Sequence, residues 1–271
     1  MKSALLLLLF VALLVAIPKA SAPRAGVAQA GAAQADRKAV VVELFTSEGC
    51  SSCPPADALL KKVETEQPIR DAEVIALEEH VDYWNQGGWF DPYSSAEWTL
   101  RQQAYVSKLK GQGAYTPQMI VDGQREFVGS SIRDAGVAIH EAAQRAKAEI
   151  TITPDASAQG DAEHFDVKVA KLAQTEPKEE VDIWMAITED GLVGDVKAGE
   201  NAGKNLQHAA ILRSFHKIGA VAGGKESSPF EANPEVKFKS NWKKENLRVV
   251  VFIQGHKSLR ILGAASVRVA G

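Results

Sequence analysis

A mixed α/β domain of order β-α-β-α-β-β-α over residues 38–147, followed by a β-rich, sandwich-like domain over residues 148–271, is the fold class the sequence predicts. Three observations predict it. The β-branched apolar run Ala39–Phe45 gives way within a few residues to helix-spaced apolar positions. Asp122-Gly123 joins two short strand-like runs. From Ala148 onward, short strand-like segments separated by glycine-containing turns replace the helical periodicity.

The chain begins with an export signature. Lys2 supplies a positive start, Ala4 to Ile17 is an unbroken apolar run, and Ala20-Ser21-Ala22 has the small-residue pattern of a cleavage site. A membrane span needs about 20 apolar residues, so this run is too short to be one. Residues 1–22 are therefore expected to be a signal peptide cleaved after about Ala22, with residues 23–37 (rich in Ala, Gly and Gln) a flexible leader. The expected destination is the periplasm or the medium, with no stable membrane insertion after cleavage. Loss of Lys2 and Lys19 takes the formal charge from −3 to −5. Without a basic block, nucleic acid and anionic membranes are excluded as expected partners.

Ala39–Phe45 has the length and composition of a buried central strand. Beyond the loop that follows, Ala56, Leu59, Leu60 and Val63 fall on one helix face, and Pro54 and Pro55 sit at its start, where missing N–H groups cost least. Glu73–His80 begins as a second strand. Ser94-Ser95-Ala96-Glu97 has capping-box spacing and opens a helix to about Leu109. Gln118–Val121 and Glu126–Val128 form a hairpin through Asp122-Gly123. A last helix runs from about Ser131 to Lys147, with Ile132, Ala135, Ile139, Ala142, Ala143 and Ala146 as its stripe. This is the thioredoxin order. Short strand-like segments spaced as they are after Ala148 suggest a sandwich.

The chemistry points to two residues. Only two cysteines are present, Cys50 and Cys53, at the first strand-to-helix turn. A bridge between them closes almost no loop, so its value lies in chemistry rather than in chain constraint. A helix N-terminus favours an anion, so Cys50 is expected to be the exposed attacking thiolate. Cys53, one turn on, would resolve the mixed disulfide. No cofactor is needed, because the dithiol itself carries the electrons. The expected partners are protein thiols or disulfides and a redox partner. A structural zinc site would want four ligands, and the sequence has neither a second C-x-x-C nor a closely spaced His pair.

Thr116-Pro117 precedes the third strand, where a cis bond would present the Thr116 backbone to a substrate peptide. Glu43, buried by pattern, is expected either to accept a proton from Cys53 or to be satisfied by a neighbouring polar group or turned outward. Trp84 and Trp89, in the aromatic loop His80–Tyr93, are candidates to wall a substrate groove or to pack an interdomain seam. Two rivals remain at this level. One is a Cu(I) site of Cys50, Cys53 and a distant His80 or His208. The other is a binding module with a static disulfide.

The segment Glu43–Asp57 (ELFTSEGCSSCPPAD) resembles the opening motif of DUF1223, a family of exported bacterial proteins of unassigned function. His80–Trp84, Tyr115–Met119 with Val121–Gly123, and Gly199–Gly203 resemble its other blocks. The resemblance implies a thioredoxin-like fold, a redox pair at Cys50 and Cys53, and a proline role at Pro117. It does not specify a reaction. Relative to thioredoxins proper, Gly49 replaces the usual tryptophan and Ser51-Ser52 replaces Gly-Pro.

Overall fold

The computed structural model describes residues 37–109, 111–155, 162–172, 178–224 and 228–269. The expected signal peptide and the expected leader up to residue 36 lie outside them. Among the described residues, no helix is long and apolar enough to cross a membrane.

Strand β1 (Lys38–Thr46) is buried from Val40 onward and alternates its side chains between two packed faces. Val40, Val42 and Leu44 face α1 (Pro54–Glu66) and α3 (Ile132–Ala143). Val41 and Phe45 face the opposite layer, which α2 (Ala96–Lys108) covers with Trp98 and Tyr105. β1 lies between a parallel neighbour, β2 (Ala72–His80), and an antiparallel one, β3 (Gln118–Val121), which turns through Asp122-Gly123 into β4 (Arg125–Val128). The order through α3 is β-α-β-α-β-β-α, as the periodicities predict. Each helix start has a local cause: two prolines open α1, while the Ser95 and Ser131 hydroxyls cap α2 and α3.

The expected boundary at residue 147 does not end the sheet. After β5 (Ile150–Pro154) and β6 (Glu163–Val169) come β7 (Val181–Glu189), β8 (Val193–Asp195), β9 (Asn205–Gln207) and β10 (Ile211–Val221). Then follow β11 (Phe230–Ala232), β12 (Glu235–Val236), β13 (Leu247–Gly255) and β14 (Ile261–Arg268). Strands β10, β7, β13 and β14 continue the first sheet, giving the order β14-β13-β7-β10-β2-β1-β3-β4. The join is parallel pairing of Ile211 with Glu78, backed by a bond from the Glu78 N–H to the Ala210 carbonyl at 2.9 Å. Residues 37–271 make one compact unit. Strand spacing reports antiparallel neighbours but not which sheet they extend, so the sequence reading divided what the β2–β10 pairing unites.

A smaller sheet of β5, β6, β11 and β12 packs on β7 and β13, burying Phe165 and Val167 against Ile183, Met185 and Val251. On the opposite face, Trp98 of α2 packs with Ala186, Phe215 and Phe252 from the C-terminal strands and with Val41 and Leu77. Helix α2 therefore covers strands from both halves of the sequence.

Candidate functional site

β1 ends at Thr46, and a tight turn (Cys50 N–H to the Ser47 carbonyl, 3.1 Å) brings Cys50 to the start of α1. Because Pro54 and Pro55 fill its first positions, the helix begins at Pro54 and Cys53 is its N-cap residue. Cys50 precedes it by one turn, with the Cys53 N–H bonded to the Cys50 carbonyl at 3.2 Å. The two sulfurs form a disulfide with Cα atoms 5.4 Å apart. The pair thus stands at the positive end of the α1 dipole, which favours a released thiolate, although Pro54 and Pro55 carry no N–H and the Ala56 and Asp57 N–H groups are bonded to the Cys53 carbonyl.

The expected exposure of Cys50 is corrected. Both cysteines are fully buried, while Ser51 and Ser52 are exposed. The cover is the turn at residues 196–204. The fully buried Asn201 amide donates to the Glu48 and Cys50 carbonyls at 2.9 Å each, and the Glu200 carboxylate accepts from the Ser51 N–H at 3.0 Å. The turn closes on itself through Gly203 N–H to the Val196 carbonyl at 2.8 Å. Gly199 (φ +75°) lies where a Cβ would come within 3.2 Å of the Gly87 carbonyl and of Trp89, so only glycine lets the turn sit this close. The Ser52 hydroxyl lies 3.4 Å from the Cys50 sulfur.

Pro117 closes another side. The Thr116–Pro117 bond is cis. A Cβ placed on Gly129 would be 3.1 Å from Ala56 and 3.2 Å from Pro117, so the proline borders the first turn of α1. The Trp84 indole donates to the Thr116 hydroxyl at 2.7 Å. Trp84 also fills the space above Gly49, where an added Cβ would be 3.2 Å from its own Cβ. Trp89 donates to Glu48 at 2.7 Å. Phe90 is 72% exposed.

Glu43 is not placed to serve Cys53. Leu44 faces α1, so by alternation Glu43 faces the opposite layer, where the Arg101 guanidinium grips its carboxylate. The acid on the cysteine side is Asp57, four residues after Cys53 on α1 and buried, accepting from the Thr46 hydroxyl at 2.6 Å. Burial, reinforced by the charge of Glu78, raises its pKa to about 7.

Behind this turn lies a buried polar cluster that the spacing of the sequence hides. His80, at the end of β2, and His208, before β10, meet with ring centroids 4.8 Å apart. His80 Nδ1 faces Asp91 at 2.7 Å, and His208 Nδ1 faces Glu78 at 2.7 Å. Asp91 also accepts from the Glu48 N–H at 2.8 Å and the Tyr93 N–H at 2.9 Å. Burial opposes charge on His208, but the neighbouring Glu78 carboxylate outweighs it and lifts the pKa to about 9. Burial likewise opposes charge on Glu78, whose pKa the His208 imidazole nonetheless lowers to about 2. Both histidines thus face carboxylates, not the sulfurs a copper site with the cysteines would require. Asn201, Asp57, Glu48 and Asp91 went unrecognised as parts of this region. The Cys53-to-Asp57 spacing of four was the available signal for one of them.

These features define a mixed α/β protein with a C-x-x-C disulfide at a strand-to-helix turn, covered by a segment from the C-terminal half. The chain belongs to the family described as "Protein of unknown function (DUF1223)", which matches residues 41–254. Its structure is similar to the crystal structure of a protein from Agrobacterium tumefaciens, with 26% identity and a TM-score of 0.61 over 85% of this chain and 94% of that one. It is also similar in fold to HBP35 of Porphyromonas gingivalis, at 14% identity and a TM-score of 0.63 over 86% of this chain and 76% of that one. No curated protein matches the chain.

Proposed function

We propose that this is an exported thiol–disulfide oxidoreductase of thioredoxin-like architecture, acting on protein substrates through Cys50 and Cys53. The observation that carries the reading is the disulfide at the N-terminus of α1, bordered by the cis Thr116–Pro117 bond. The element order through α3 supports the architecture, and the signal-like residues 1–22 support export.

In the reducing direction, the Cys50 thiolate attacks a substrate disulfide and releases one substrate thiolate. Cys53 then gives up its proton and attacks the Cys50 sulfur. This releases the second substrate thiolate and leaves the Cys50–Cys53 disulfide, so two electrons pass to the substrate. The oxidising direction is the reverse. Asp57 takes the proton of Cys53 in place of Glu43, and Thr116 and Pro117 border the incoming chain. No cofactor enters the exchange.

The full burial of both cysteines favours a second reading, a non-catalytic module with a static disulfide. Turnover of a fluorogenic glutathione disulfide separates the two. The exchange reading predicts turnover by the wild type and none by Cys50→Ser. It also predicts that closure of the reduced protein speeds up as pH rises through about 7, where Asp57 becomes able to accept a proton, and that Asp57→Asn removes this rise. A wild type as inert as Cys50→Ser would leave only the static module.

A further inference from the structure

A solvent cleft of about 320 Å³ opens beside the start of α2. Tyr93, Ser95 and Glu97 line it from the segment that opens the helix, and Arg213, Lys239 and Trp242 line it from the C-terminal half. Two cations reach this cleft without being fully matched. Arg213 Nε lies 3.4 Å from the buried Glu189 Oε2, and the arginine side chain is 16% exposed. Among the described residues the guanidinium makes no hydrogen bond, so both Nη groups keep their donors free. The exposed Lys239 forms no ion pair among the described residues, and its ammonium lies 5.7 Å from the centre of the Trp242 ring.

The guanidinium is held in place. Its Cζ lies 5.6 Å from the centre of the Tyr93 ring and 5.3 Å from that of Trp242. Both rings are themselves fixed. Tyr93 meets the buried His80 and His208 rings edge-on, at 5.6 and 5.8 Å between centroids, and the buried Trp242 bonds its N–H to the Lys239 carbonyl at 3.0 Å. The Trp242 indole N–H, buried in the same wall, has no acceptor. A stacked guanidinium whose Nε edge is taken up by Glu189 offers its Nη pair as a preformed fork. The positive end of α2, capped by Ser95, adds to the same potential.

We propose that this cleft binds the carboxylate of a small organic acid, with Arg213 as the fork, Lys239 as a second cation and the aromatic side chains as walls for the rest of the molecule. The size suits a small ligand, being at the lower end of the range for such sites. The charge selects a monoanion. Glu97, exposed at the cleft, and Glu189, behind the guanidinium, both repel a dianion more than a monoanion, which favours a carboxylate over phosphate. The cysteines do not line the cleft, so this site stands or falls separately from disulfide exchange.

The test is a titration of the full protein with benzoate and with inorganic phosphate at constant ionic strength, followed by nuclear magnetic resonance. Benzoate is expected to shift the Trp242 indole N–H resonance (assigned by its loss in Trp242→Phe) saturably, with one molecule bound, and to bind more tightly than phosphate. Arg213→Met is expected to weaken benzoate roughly tenfold or more. Arg213→Lys, which keeps the charge but loses the fork, should fall between it and the wild type. Lys239→Met should weaken binding by a smaller factor, while Glu97→Gln should tighten it. Circular dichroism checks the folding of each variant. If Arg213→Met does not fold because Glu189 loses its cation, the exposed positions decide the matter through the opposite effects of Lys239→Met and Glu97→Gln. A wild type that gives no saturable shift with benzoate, or folded variants that bind it as the wild type does, would overturn the site. Phosphate binding more tightly than benzoate would overturn the choice of a carboxylate.

Discussion

Arg101→Met is expected to destabilise the protein by about 3–5 kcal/mol, because it leaves buried carboxyl groups without their cation. Arg101 reaches from α2 into the layer opposite α1, where its guanidinium binds Glu43, comes within 3.5 Å of Glu79 and accompanies the Tyr105 hydroxyl at 2.9 Å. It also lies over the rings of Phe215 and Phe252, at 4.7 and 5.5 Å. Burial, and after it the charge of Glu43, pushes the pKa of Glu79 well above the usual carboxylate range. The guanidinium therefore faces two buried carboxyl groups, of which Glu79 is held toward its neutral form. Methionine keeps the apolar stem and deletes the charge, so the loss is electrostatic rather than steric. For a chain of this size it corresponds to a fall in Tm on the order of 10 °C. Adding Glu43→Gln and Glu79→Gln to Arg101→Met should recover most of that fall. A single variant within about 1 kcal/mol of the wild type would show that the cluster does not hold the layer together.

The second large effect concerns access to the disulfide. Asn201→Ala removes two hydrogen bonds that pin the 196–204 turn to the Glu48 and Cys50 carbonyls. Each such bond is worth about 0.5–1.5 kcal/mol net. If opening of the turn limits attack on Cys50, their loss raises the rate of disulfide reduction by dithiothreitol between about 5- and 150-fold. Glu200→Ala, which removes a contact to Ser51 from an exposed side chain, should have a smaller effect in the same direction. An unchanged rate in folded Asn201→Ala would mean that the thiol reaches the sulfur past Ser52 without moving the turn.

What was legible in the sequence was local. β1 could be read from Ala39–Phe45, the start of α1 from its prolines, and the β3–β4 hairpin from Asp122-Gly123, because each depends on neighbours within a few residues. Of the two roles open to Glu43, service to Cys53 is ruled out by a rule that is also local: once Leu44 packs under α1, Glu43 must point the other way, and there it finds Arg101. The remainder depends on long-range pairing. Ile211 joins Glu78 across more than a hundred residues, and that pairing carries His208 to His80, Glu48 and Glu78. Spacing alone does not bring these groups together, since His80 and His208 stand far apart in the chain. Likewise Gly199–Gly203 was visible as a block, while its contact with Cys50 became visible only once β8 and β9 were placed.

The most direct measurement is capture of the exchange intermediate. With Cys53→Ala expressed in the native cell envelope, a substrate joined to Cys50 has no second thiol in this chain to release it. Non-reducing separation followed by mass spectrometry is expected to show mixed disulfides through Cys50, absent from the Cys50→Ser/Cys53→Ala pair and enriched when Asn201→Ala is added. Envelopes in which Cys50 stays a free thiol, joined to no protein even with the turn unpinned, would contradict the account.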